Sequence, residues 1–243
     1  MRARPVLALA KVELLLTMRR GEGLIVTMAI PLGILVFFGK IEAIATTYDD
    51  PLTFLVPGVL ALGVMSAAMV SLGIATGFER RYGVLKRLGS TPLTRGGLLV
   101  AKTGTILALE VVQTAVIIAA GDALGWTVPR DAAAALPLIL LGTVAFAGIG
   151  MLLAGTLRAE ANLALVNGLF LVLMFLGGMA YPLERLPMAM QDFARLLPAA
   201  ALSECLRGVL TIGKPFPVES LAVLGAWAVA GPALAARWFH WED

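Results

Sequence analysis

The sequence predicts an all-α membrane protein. The predicted parts are six transmembrane helices, an N-terminal amphipathic interfacial helix, a short cytoplasmic helix between spans 2 and 3, and an outer re-entrant hairpin between spans 5 and 6. All of it forms one domain, residues 1–243. Three observations lead there. Hydrophobic residues make up 59% of the chain and charged ones 14%, with mean hydropathy +0.91, whereas a water-soluble domain carries about 25% charged residues. Six apolar segments approach the roughly 20 residues a helix needs to cross a bilayer. Lysine and arginine collect in alternate connections between those segments.

The elements follow in order. Residues 1–21 read as the interfacial helix: Pro5 suits a first helical turn, Arg4 and Lys11 share one face, and Leu7, Leu14 and Met18 form much of another. A basic helix with leucine opposite fits a membrane surface; a frayed basic tail is the alternative. Spans are expected at 23–38, 52–78, 98–120, 132–157, 163–180 and 218–239. Pro31 lies inside the first, tolerable where neighbouring helices satisfy the freed carbonyl. The second is long enough to tilt. Gly142, Gly148, Gly150, Gly155, Gly168, Gly177 and Gly178 in the fourth and fifth permit close helix approach.

Charge gives the orientation. The N-terminal segment carries Arg2, Arg4, Lys11, Arg19 and Arg20, and the connection after the second span carries Arg80, Arg81, Lys86, Arg87, Arg95 and Lys102. Between them Lys40 is offset by Glu42, Asp49 and Asp50, and after the third span Arg130 stands beside Asp122 and Asp131. The positive-inside rule puts both termini and the second-to-third connection in the cytoplasm of a cell (plasma or inner) membrane, with Trp238 and Trp241 marking an interface. The net charge of +3 is loop bias rather than affinity for nucleic acid.

Residues 181–217 are too polar to span and too apolar for a plain loop. Pro187 can open a helix with Met190, Phe193 and Leu197 on one face and Gln191, Asp192 and Arg195 on the other; Pro198 stops it. Residues 199–213 would form a helix of about 22 Å, short of the roughly 30 Å hydrocarbon core. Two short helices dipping into the outer leaflet are expected; a seventh span, which would put the C-terminus outside, is the alternative.

Chemistry of its own is not expected from this chain. Cys205 is the single cysteine and His240 the single histidine, so no metal cluster is expected. Residues 33–40 superficially match a phosphate-binding loop. However, five residues rather than four separate Gly33 from Gly39, and Ile41 stands where Ser or Thr is required. Glu110 is an acid midway along the third span, where a charge costs about 2.5–3.5 kcal/mol. It must pair or be neutral. It reads either as a proton relay or substrate contact, or as a packing hydrogen bond to Asn162, Asn167 or a backbone group.

Residues 79–102 are the most informative stretch. Tyr82, Leu85 and Leu88 fall at i, i+3, i+6, giving one short amphipathic helix over 79–88 whose solvated part is Arg80, Arg81, Lys86 and Arg87. Gly89 is suited to ending it, and Thr91 to capping the next helix with Pro92 at its first turn. A rigid helix held between two spans looks like a lever; a basic helix that merely binds anionic lipid is the alternative.

The pattern E-R-x-x-G-x-L-x-R-L-x-x-T-P-L-x-R, here Glu79, Arg80, Gly83, Leu85, Arg87, Leu88, Thr91, Pro92, Leu93 and Arg95, resembles the coupling-helix region of type-2 ABC transporter permeases. The segments GGMAYPLERLP (177–187) and LLPAAALSECLRGVL (196–210) resemble that family's fifth-span end and outer hairpin, with Pro182, Pro187, Pro198, Glu204 and Arg207 as its marked residues. Small drug- and antibiotic-exporting permeases of the daunorubicin-resistance type look closest in size. The resemblance implies a transport subunit that is not itself an enzyme, paired with a second permease subunit, identical or not. Two separate ATPase subunits would bind ATP and magnesium, so the chain itself carries no cofactor. Residues 79–92, with Glu79, Arg80, Tyr82, Gly83, Leu85, Lys86, Arg87, Leu88, Thr91 and Pro92, would then be the coupling region. Arg81 after Arg80 departs from the more acidic loop of many relatives.

A path for a hydrophobic or amphipathic cargo (drug, antibiotic or lipid-like) is expected at the dimer interface. Its expected residues are Glu110, Asn167, Phe170, Met174, Phe175 and Met179, flanked by spans 2 and 5 and roofed by the hairpin. Two rival readings remain: a proton-coupled secondary transporter using Glu110, and a non-transporting membrane scaffold.

Overall fold

A computed structural model describes residues 3–19, 22–41, 50–129 and 132–241, and among them every regular element is helical. Arg2, Arg20, Glu42, Asp49, Arg130 and Asp131, on which part of the charge asymmetry rests, lie outside the described residues, as do the side chains of Arg4, Met18, Arg19 and Lys40.

Two helices open the chain, α1 (Ala3–Arg19) and α2 (Glu22–Ile41). Next comes a 31-residue continuous helix, Pro51–Arg81, built of α3 (Pro51–Met65), a π-helical segment Ser66–Ser71 and α4 (Leu72–Arg81). Asp50 starts it: its carboxylate accepts the Leu52 amide (3.0 Å) and the Thr53 hydroxyl (3.2 Å), with Pro51 at the first position, where no amide is missed. The short α5 (Val84–Gly89) is followed by α6 (Arg95–Ala123), α7 (Ala135–Thr156) after a 3₁₀ turn at Ala132–Ala134, and α8 (Ala159–Leu176). A 3₁₀ turn at Leu183–Arg185, α9 (Met188–Arg195), α10 (Pro198–Leu210) and α11 (Val218–Trp238) complete the chain.

Among the described residues, five helices are long and apolar enough to cross a membrane: Pro51–Arg81, Arg95–Ala123, Ala132–Thr156, Ala159–Leu176 and Val218–Trp238. In the segment expected as the first span, the apolar stretch among the described residues is the shorter Met28–Gly39. The expected boundaries shift most at the fifth, which starts at Ala159 and ends at Leu176 rather than running 163–180. Its end is set by Gly177 and Gly178, the latter at φ 63°.

The long α3–α4 helix is the axle of the bundle, with almost every α3 side chain buried. Its π-helical segment presses backbone to backbone on α7: a β-carbon on Gly150 would lie 2.7 Å from the Met69 carbonyl oxygen. On the other side of α7, a β-carbon on Gly148 would lie 2.5 Å from the Gly231 carbonyl carbon of α11. Small residues there let three helices approach closely, as dispersion-driven packing in lipid requires. α1 lies along α6, with the Thr105 hydroxyl donating to the Ala10 carbonyl at 3.3 Å. Its outward side is mostly apolar, Leu7, Val12 and Leu15 being about half to two-thirds exposed, with Lys11 exposed among them. Leu7 and Leu14, expected on one face, divide: Leu14 is half-buried.

Candidate functional site

The turn from α4 to α6 is built by one glycine and two threonines. α4 stops at Arg81 because Gly83 adopts φ 72°, a left-handed conformation that costs a residue with a β-carbon about 1–2 kcal/mol. The Tyr82 and Gly83 amides still close the last turn, on the carbonyls of Phe78 (2.9 Å) and Arg80 (3.0 Å). The single helix expected over 79–88 is therefore two, with α5 starting anew at Val84. The expected cap also moves. The Thr91 hydroxyl donates back to the Leu88 carbonyl at 2.6 Å, closing α5, and Thr94 caps α6 by accepting the Gly97 amide at 3.0 Å. Thr94 holds the extended conformation that an N-cap needs.

The break at Gly83 separates the stripe expected from Tyr82, Leu85 and Leu88. Leu85 is fully buried in the main hydrophobic core and Leu88 half-buried against it. Tyr82 is 70% exposed, its ring stacked near that of Phe78 (centroids 6.1 Å apart). Beside it Val84, Lys86, Arg87 and the Ser90–Thr91–Pro92 turn all face outward. The C-terminal segment backs α5: Gly89 lies under the indole of Trp241, and the His240 amide donates to the Gly155 carbonyl of α7 at 3.0 Å.

Immediately before Tyr82, three consecutive residues each grip a different partner. Glu79 forms an ion pair with Lys102 of α6 at 2.8 Å, and the same ammonium donates to Glu13 of α1 at 2.8 Å. Arg80, buried, donates to the Leu157 carbonyl at the end of α7 at 2.7 Å. Arg81 forms an ion pair with Glu160 in the first turn of α8. About two turns earlier the Asn162 amide of α8 donates to the Gly73 carbonyl at 2.9 Å. Lys102 is 1% exposed, so its two carboxylates offset a desolvation penalty of about several kcal/mol per ion.

Lys102 is the residue of this cluster that sequence reasoning missed. By position it reads as a loop charge, yet it falls inside the apolar run that starts at Leu98, and an ammonium there demands a partner.

Glu110 sits elsewhere, buried between α6 and α7. The Thr143 hydroxyl of α7 donates to its carboxyl, correcting the expectation of Asn162, Asn167 or a backbone group. The same hydroxyl donates to the Ile139 carbonyl at 2.8 Å. A hydroxyl has one proton, so the acceptors share it unless the carboxyl is neutral and itself donates. Asn162 bonds to Gly73 instead, and Asn167, exposed, bonds to Leu163 in its own helix.

The other residues expected along a cargo path are not gathered around Glu110. Phe170 and Met174 are half-buried on α8, Phe175 is 56% exposed and Met179 is buried beyond its end. The Pro51–Arg81 helix, expected to flank that path, is interior, with Ser71, Ala75 and Arg81 its exposed positions.

At the opposite end of the bundle two short helices occupy the segment read as a hairpin. Pro182 precedes the 3₁₀ turn, Pro187 is the N-cap of α9 and Pro198 opens α10. Ser203 donates to the Gly177 carbonyl at 2.5 Å and Arg207 to that of Gly178, so α10 satisfies the carbonyls left open where α8 stops. The Ser220 hydroxyl of α11 donates to Glu204. Trp227 donates to the Leu196 carbonyl at 2.9 Å. α9 is held chiefly by Ala194 and by Gln191, which donates to the Leu186 carbonyl at 2.7 Å. Phe193, expected on its apolar face with Met190 and Leu197, is 57% exposed.

Comparison with known proteins adds sequence kinship. Residues 4–211 match the family model described as ABC-2 type transporter. The chain is 26% identical over 186 residues to nodulation protein J of Rhizobium leguminosarum bv. viciae, covering 75% of this chain and 69% of that protein. Against nodulation protein J of Rhizobium leguminosarum bv. trifolii it is 26% identical over 197 residues, 80% of this chain and 72% of that one.

Proposed function

Because the chain belongs to the ABC-2 type transporter family, we propose that it is the membrane-embedded subunit of an ATP-driven exporter, gripped at α5 by separate ATPase subunits. A multi-pass membrane location follows from the family and the long apolar helices. The observation that carries the reading is the outward strip of Tyr82, Val84, Lys86 and Arg87. It is a small basic and aromatic surface at a turn whose other side is locked into the bundle. A surface helix that served only to bind lipid would have no need of the rigid seat supplied by Leu85 and Trp241.

In this proposal α2 is a sixth span, both termini and α5 face the cytoplasm, and α9 with α10 forms an outer hairpin. Two ATPase subunits bind ATP and magnesium, and a second permease subunit completes the transporter. The cargo is hydrophobic or amphipathic, of drug, antibiotic or lipid-like character, and moves along the exposed face of α8 bearing Asn167, Met174 and Phe175. Support for that face is its partial burial, with apolar side chains awaiting a neighbour. The names of the relatives speak of nodulation and assign no cargo.

The test is co-expression with a candidate ATP-binding subunit of the same family of transporters, followed by affinity purification and ATP hydrolysis in lipid nanodiscs. Wild type should capture the ATPase and alter its hydrolysis rate, and Val84→Asp with Arg87→Glu should lose both. Capture unaffected by that pair of changes, or proton-driven flux from the chain alone, would overturn the proposal.

A further inference from the structure

The residues that bear the family-like E-R signature point inward. Glu79, Arg80 and Arg81 occupy one helical turn, and their side chains diverge to α6, α7 and α8. Through Lys102 the same turn reaches a fourth helix, α1, because the ammonium bridges Glu79 and Glu13 at 2.8 Å each. Arg95 adds a tie one helix on, donating to the Arg237 carbonyl in the last turn of α11 at 3.2 Å. The outward strip starts at the very next residue, Tyr82, and continues beyond the Gly83 break.

We infer that the last turn of α4 is a transmission joint, in which Lys102, shared by Glu79 and Glu13, makes α1 and α6 move together with the docking turn. The inference rests on the proposed function for what docks, and goes beyond it in assigning the signature residues. Glu79 and Arg80 are positioning residues that pass on displacement, while binding belongs to Tyr82, Val84, Lys86 and Arg87. The division is chemical. Arg80 and Lys102 are almost fully enclosed and cannot meet another protein without leaving their partners. A buried ammonium between two carboxylates from different helices also resists separation of any one of them, since the charge left behind would be unpaired in a poorly solvated site. α1, mostly apolar on its outward side, is thereby tied to the docking turn by charge rather than by chain connectivity.

The test uses the full chain in nanodiscs with its ATPase subunit. The substitution Met188→Cys, at a position 84% exposed on α9 at the far end, supplies a thiol that is labelled with a maleimide with and without ATP and vanadate. Because a single change such as Lys102→Met strands two carboxylates, the working variant is the charge-free Glu13→Gln/Glu79→Gln/Lys102→Met, with Lys102→Arg as the conservative control. The expected result has three parts: ATPase binding at the wild-type level, a nucleotide-dependent change in labelling rate reduced about fivefold or more in the charge-free variant, and recovery in Lys102→Arg. A wild-type labelling response in the charge-free variant would overturn the joint, and so would loss of ATPase binding, since the turn would then be part of the docking surface. Failure of wild type itself to bind the ATPase would instead sink the proposed function, and the inference with it.

Discussion

The guanidinium of Arg207 lies 4.2 Å from the centroid of the Phe54 ring while donating to the Gly178 carbonyl. One side chain of α10 thus touches the start of α3 and the end of α8. Such a buried cation is held by a π face and a carbonyl together, each worth about 1–2 kcal/mol. Arg207→Met should lower the thermal midpoint in detergent by an amount corresponding to about 2–4 kcal/mol. Phe54→Leu should cost less. Unchanged melting in Arg207→Met would show that α10 is held without this contact.

Leu85 and Val84 are neighbours with opposite fates. Leu85→Ala should destabilise the fold by about 2–5 kcal/mol, the range for emptying a buried leucine site. Val84→Asp should leave melting unchanged, because its side chain already faces outward. Equal melting of the two variants would contradict the break at Gly83.

Glycine substitutions should divide by what a β-carbon would meet. Gly150→Ala drives a methyl group into the Met69 carbonyl and should destabilise the bundle. Gly168→Ala, which meets nothing within 4 Å, should be neutral or stabilise by about 0.5–1 kcal/mol. Thermal scans of both variants in one detergent decide the point.

Glu110→Gln keeps a group that can meet the Thr143 hydroxyl. The variant is expected to melt within a degree or two of wild type and to retain ATPase stimulation within about twofold. A stably folded Glu110→Gln protein that has lost ATP-independent, proton-driven flux would favour the secondary-transporter reading instead.

Cys205 is fully buried, and burial, followed by the nearby charge of Glu204, pushes its thiol up to about 12. A raised value keeps the thiol protonated well above neutral pH, and the thiolate is the reacting form. Maleimide at pH 8 should therefore leave the native protein unlabelled and modify it on denaturation. Rapid native labelling would place Cys205 at a surface.

Residues whose position shows in periodicity were legible in the sequence; those whose position depends on a partner were not. The long helices, the turn between α4 and α6 and the paired short helices of 181–217 follow from runs of apolar residues and the prolines that punctuate them. Gly83 was visible as a glycine, but its left-handed turn competes with an i, i+3, i+6 pattern equally compatible with one continuous helix. Thr91 and Thr94 are both adequate caps followed by permissive residues, and the start of α6, fixed by packing on α1, chooses between them. Lys102 looked like a loop charge because Glu13 lies 89 positions away in sequence. The partner of Glu110 was misassigned because a threonine inside an apolar helix carries no periodic signal.

The seat of Trp241 over Gly89 bears on protein engineering. An affinity tag or fluorescent protein fused downstream of that indole would emerge within a few ångströms of α5 and crowd its outward strip. Such a fusion could suppress partner capture while leaving expression and melting intact. A peptide epitope inserted at the tip beside Met188 would keep that approach clear.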